Sequence, residues 1–157
     1  MIDAKRRTLL KGSLAAGSVG AAIGAGLLTP QLALAEWNEA AFTAKDIPAA
    51  LNDLLGGDSA ETTDKIKIKA PDIAENGAVV PVTVETDMEG VTSIAIIAAK
   101  NQTPLIAAFD LSETALPFVS TRIKMAETAD VVAVVKAGDK LYQNAKNVKV
   151  TIGGCGG

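Results

Sequence analysis

The strongest pattern in the chain is a two-residue alternation of apolar and polar positions. Ile66 and Ile68 alternate with Lys65, Lys67 and Lys69. Val80, Val82 and Val84 alternate with Pro81, Thr83 and Glu85, and Val148, Val150 and Ile152 with Asn147, Lys149 and Thr151. Successive side chains of a strand point to opposite faces, so each run predicts a strand with one buried face and one wet one. Asn76-Gly77, Glu89-Gly90 and Gly138-Asp139 fall between apolar runs and predict turns. About seven or eight short strands at this spacing predict an all-β chain, folded as an immunoglobulin-like antiparallel β-sandwich.

Two runs do not alternate. Residues 94–99 (Ile-Ala-Ile-Ile-Ala-Ala) and 131–135 (Val-Val-Ala-Val-Val) are apolar at every position. One face of an antiparallel strand usually meets water, so something must cover the second face here. Helices at the start of the chain can do so, and so can another subunit; the two are compatible. The helical period itself occurs only within residues 37–55, broken at Asp46-Ile47-Pro48. Asp46 suits a cap, Pro48 a first turn, Leu51, Leu54 and Leu55 share a face, and Gly56-Gly57 closes the element.

The first 35 residues follow neither period. Lys5-Arg6-Arg7-Thr8-Leu9-Leu10-Lys11 is a twin-arginine pattern, residues 12–28 are uncharged, and Ala33-Leu34-Ala35 presents small residues for cleavage. Gly12, Gly17, Gly20, Gly24 and Gly26 leave the stretch only weakly apolar, short of a membrane anchor. The expectation is a cleaved Tat signal peptide over 1–35 and export of the folded protein to the periplasm, with Glu36 at the new N-terminus. The rest divides into an N-terminal helical segment (36–57), the sandwich (58–152) and a C-terminal tail (153–157).

Composition narrows the chemistry. Among 157 residues there is no histidine and one cysteine. That removes the commonest general base and metal ligand, the His-activated nucleophiles, an internal disulfide and any thiolate metal cage. The leader holds four basic residues against Asp3, which leaves 11 basic (15 − 4) and 17 acidic (18 − 1) residues beyond it, a balance of −6. Nucleic acid would require a clustered basic face instead.

The single cysteine sits in Gly153-Gly154-Cys155-Gly156-Gly157, directly after the last alternating run. Glycine loses the most backbone entropy on ordering, so Gly153, Gly154, Gly156 and Gly157 predict a slim, flexible arm around Cys155. A free thiol titrates near about 8.5, and no cation or base adjoins this one in sequence. Such a cysteine suits a group carrier, loaded and unloaded in the active sites of other proteins. A plain intermolecular disulfide is the structural alternative. A thiol oxidoreductase is the enzymatic one, and it lacks a second cysteine to resolve a mixed disulfide.

With its Tat leader, sandwich-length core and terminal Gly-Gly-Cys-Gly-Gly, the chain resembles the SoxY family, the sulfur-carrier subunits of the periplasmic thiosulfate-oxidising (Sox) system. The resemblance implies an immunoglobulin-like sandwich, a heterodimer with a SoxZ-like subunit and no catalytic apparatus or cofactor of its own. It further implies that a SoxAX-like haem protein joins thiosulfate oxidatively to Cys155. A SoxB-like hydrolase then releases sulfate, and a SoxCD-like sulfane dehydrogenase, where present, oxidises the remaining sulfur. Only Cys155 carries over as a functional residue, with the glycines as its tether.

Other groups carry less. Asp87 and Glu89 precede Gly90 in a turn and predict a solvated one. Lys65, Lys67 and Lys69 line one strand face; they suit either steering of an anion or an acidic partner, or protection of an edge strand. Ser120, Thr121 and Arg122 have no nucleophile partner in the sequence.

Overall fold

The computed structural model describes residues 38–151. The leader and the tail, Gly153 to Gly157 with Cys155, lie outside the described residues. Among the described residues two helices come first, α1 (Glu39–Thr43) and α2 (Ile47–Leu55). The Asn38 side chain accepts from the Ala41 N–H, and the Asp46 side chain from the Ala49 N–H at 2.9 Å, so each helix starts on a side-chain cap. Pro48 stands in the first turn of α2, and Gly56 ends it in the left-handed conformation at φ +77°. The Lys136 ammonium donates to the Leu55 carbonyl at 3.0 Å, placing a cation at the negative end of the helix.

Nine strands follow among the described residues. They are β1 (Glu61–Thr62), β2 (Ile66–Lys69), β3 (Ile73–Ala74), β4 (Val80–Thr86), β5 (Val91–Ala98), β6 (Leu105–Asp110), β7 (Phe118–Ile123), β8 (Ala129–Ala137) and β9 (Lys140–Val150). The larger sheet runs β1-β9-β8-β5-β6, with β3 also on β9; the smaller runs β2-β4-β7. The two form an immunoglobulin-like sandwich, as the alternation predicts. All pairings are antiparallel except β1 and β3, which join β9 in parallel. Residues 63–139 separate β1 from β9 and residues 75–139 separate β3 from it, far more than the dozen or so that a parallel connection needs.

Between the sheets lie Ile66, Val80, Val82 and Val84 from the smaller and Ile94, Ile96, Val131, Ala133, Val135 and Val148 from the larger, all buried. Ala95, Ile97 and Val134 point the other way and are equally buried, against Ala41, Ala50, Leu51 and Leu55 of the helices. The unbroken apolar runs of β5 and β8 are thus covered within the chain itself. Their second face requires no other subunit.

Gly90 and Gly138 take positive φ, +68° and +59°, at the two predicted turns beside β5 and β8. The remaining turn is built differently. The Asn76 side chain accepts from the Ala78 N–H at 2.9 Å, its carbonyl accepts from the Val79 N–H, and Gly77 serves as a point of close contact.

Candidate functional site

The described part of the expected carrier arm is its root, where β9 ends at Val150 and Thr151. Three elements hold it. The Lys149 N–H donates to the Asp72 carbonyl and the Thr151 N–H to the Ala74 carbonyl, each at 3.0 Å, which is the parallel pairing with β3. The Val150 N–H donates to the Thr128 hydroxyl at 2.9 Å. Gly77 then closes over the strand: a Cβ there would overlap the Met125 carbonyl oxygen and stand 2.8 Å from Val150 Cγ1. Each net hydrogen bond contributes roughly 0.5–1.5 kcal/mol. Together they keep the ladder intact to the last described residue.

The loops at this end of the sandwich are tied to one another. Asn101 donates to the Lys124 carbonyl at 2.7 Å and accepts from the Ala126 N–H at 2.9 Å, joining the β5–β6 and β7–β8 loops. The Met125 N–H donates to the Gly77 carbonyl at 2.7 Å, joining the β7–β8 loop to the β3–β4 turn. Charges of both signs surround the root. Lys149, Glu75 and Glu127 are exposed, and Lys146 pairs with Asp72 at 3.1 Å. Among the described residues no three His, Cys, Asp or Glu side chains converge as a metal-binding group. What this end offers is a strand end held in place by three neighbouring elements.

The other residues singled out by the sequence disperse. Asp87 faces a shallow hollow with Lys65, Lys67, Glu85 and Thr86, whereas Glu89 lines a separate cleft with Met88, Glu113 and Pro117. They do not face a common point. Lys67 and Lys69 lie on β2, an edge strand of the smaller sheet, and the Lys69 ammonium pairs with the Glu85 carboxylate at 2.9 Å. The Ser120 hydroxyl bonds the Thr83 hydroxyl at 3.0 Å. Two features escape a sequence reading: the contact of Gly77 with Val150, and the exposure of Phe118 beside Ser120 and Arg122. Asn76-Gly77 signalled the first only as a turn, and no local signal marks the second. No helix among the described residues is long and apolar enough to cross a membrane.

Comparison with known proteins places the chain among sulfur-metabolism proteins. The model of the family described as sulfur oxidation protein SoxY matches residues 51–155, a stretch that includes Cys155. The sulfur carrier protein SoxY from Chlorobium limicola f thiosulfatophilum is a structural neighbour at 48% identity and a TM-score of 0.55. The match covers 60% of this chain and 88% of that one. A superoxide reductase (neelaredoxin) from Ignicoccus hospitalis shares the sandwich fold alone, at 16% identity and a TM-score of 0.53, over 59% of this chain and 95% of that one. No curated protein sequence matches.

Proposed function

The chain belongs to the SoxY family of sulfur oxidation proteins, and from that membership we propose that it carries sulfur intermediates covalently on Cys155. Loading joins the cysteine thiol to thiosulfate as Cys155–S–S–SO₃⁻, with release of one proton and two electrons. A haem protein of the SoxAX kind accepts the electrons. Hydrolysis by a SoxB-like enzyme then consumes water and releases sulfate and a proton, leaving the persulfide Cys155–S–SH. A SoxCD-like dehydrogenase, where the organism has one, oxidises the remaining sulfane sulfur.

In this reading the chain supplies position and no catalysis. Its bound cargo is the sulfur intermediate, with no separate cofactor, and a SoxZ-like subunit is its stable partner. The working compartment is the periplasm, reached by the twin-arginine route. The observation that carries the proposal is the placement of Gly-Gly-Cys-Gly-Gly directly beyond a strand end held by Thr128 and Ala74. Cys155 stands four residues beyond Thr151, a reach of at most about 14 Å for extended chain. A covalent tether of that length keeps a reactive intermediate at high effective concentration for each partner.

Mass spectrometry of the protein after turnover of thiosulfate with these partners tests the reading. Thiosulfate and sulfane-sulfur adducts are expected on the C-terminal peptide alone. A reductant-sensitive dimer with no adduct at Cys155 would replace the carrier by a cross-linker.

A further inference from the structure

Among the described residues the sandwich is covered on one side only. Helices α1 and α2 close the outer face of the larger sheet, while no described element covers the outer face of β2-β4-β7. That bare face carries an unusual surface. Of the four large hydrophobic residues exposed among the described residues, Phe118 (53%) stands on it, and Leu116 (83%) and Val79 (51%) adjoin its opposite ends. The charges on the face are Lys67, Lys69, Arg122 and Glu85, a balance of +2 (3 − 1) on a chain that carries −6 beyond its leader. Lys69 and Glu85 neutralise each other at 2.9 Å. Lys67 and Arg122 form no ion pair among the described residues, and Lys67 opens onto the hollow it shares with Glu85 and Asp87.

We propose that this face docks a protein partner whose surface presents carboxylates around an apolar contact, with Phe118 as the anchor and Lys67 and Arg122 as the flanking cations. Exposed aromatic and arginine side chains are the residue types that dominate binding energy at interfaces. Arg122 offers five donors in a planar fork, the geometry that a carboxylate accepts in pairs. A second copy of the chain fits poorly, because an isologous contact would set this positive face against itself. Nucleic acid and anionic lipid are repelled by the net charge of the remainder, −8 (−6 − 2).

The position of the face gives docking a purpose, one that rests on the carrier reading above. Arg122 lies opposite Pro81, and Val79 follows by two residues the glycine that packs on Val150 at the arm root. A partner spanning the face from Phe118 to Arg122 would reach the side of the root, where Cys155 could enter its active site.

The test uses the whole mature chain and the purified haem protein, hydrolase and SoxZ-like subunit of the same system. A Lys67→Glu/Arg122→Glu variant is compared with a matched Lys45→Glu/Lys140→Glu control, two exposed lysines elsewhere on the chain. Association with the haem protein or the hydrolase is expected to slow tenfold or more at low ionic strength in the face variant, and to change less than threefold in the control. Phe118→Ser should weaken the same association mainly by faster dissociation, with the melting temperature unchanged. Equal slowing in both charge variants, or slowing in neither, would overturn the proposal. So would a wild-type chain that self-associates through this face and becomes monomeric in the face variant. Sulfur loading of Cys155 is read separately by mass. Its failure in the wild type would refute the carrier reading, while normal binding by the face variant would refute only the docking face.

Discussion

Gly77 and Val150 meet where β9 ends, so closely that a single methyl group on Gly77 would stand 2.8 Å from Val150 Cγ1. The same methyl would overlap the Met125 carbonyl, whose own residue donates its N–H to Gly77. Gly77 does not have positive φ, so the constraint is space alone. Gly77→Ala is therefore expected to destabilise the chain by about 1–3 kcal/mol through overpacking, and to loosen the end of β9. Thermal unfolding measures the first effect, and hydrogen exchange at the Val150 and Thr151 amides the second. Unchanged exchange at both amides would mean that the turn and the strand end are independent.

Gly138→Ala isolates the other glycine mechanism. Nothing lies within 4 Å of a Cβ at Gly138, yet its φ is +59°. The substitution should cost about 1–2 kcal/mol from left-handed strain alone, without altering exchange at the Val150 and Thr151 amides.

Leu51 is 2% exposed, on the face of α2 turned to Ala95, Ile97 and Val134. Leu51→Ala should destabilise the isolated chain by about 2–5 kcal/mol. Denaturant unfolding of the chain without any partner checks this. A negligible change would show that the helices contribute little cover, and would return the outer face of β5 to the search for a partner.

Cys155→Ser should abolish sulfur loading while leaving the unfolding midpoint of the sandwich unchanged. An unaltered rate of thiosulfate-dependent electron release by the reconstituted system would exclude the carrier role. Replacing Gly153 and Gly154 together by valine should slow transfer to at least one partner, since branched side chains stiffen and thicken the arm. Normal kinetics with every partner would make those glycines incidental.

How much of this was legible beforehand depended on whether a residue's environment is local. Val80, Val82 and Val84 announce their strand because one face meets core and the other water. Asp46, Pro48 and Gly56 announce α2 because caps act within one turn. The run from Ile94 to Ala98 was ambiguous, because burial on both faces erases the period and the covering helices lie some 40 residues earlier. β3 was invisible: Ile73 is 57% exposed and its pairing is decided by β9, far along the chain. The first half of β9, Lys140 to Lys146, likewise shows no clean alternation, with Leu141 to Asn144 all half-buried. For the proposed site, Cys155 stands out by composition alone, whereas the strand end before it is a meeting of Ala74, Gly77, Thr128 and Val150 that only folding creates.

The seal that α1 and α2 place over Ala95, Ile97 and Val134 bears on how the protein can be made. A solitary copy thereby keeps the outward side chains of its two central strands dry with residues of its own. Assembly with any other subunit would begin from a finished core and would not have to complete one.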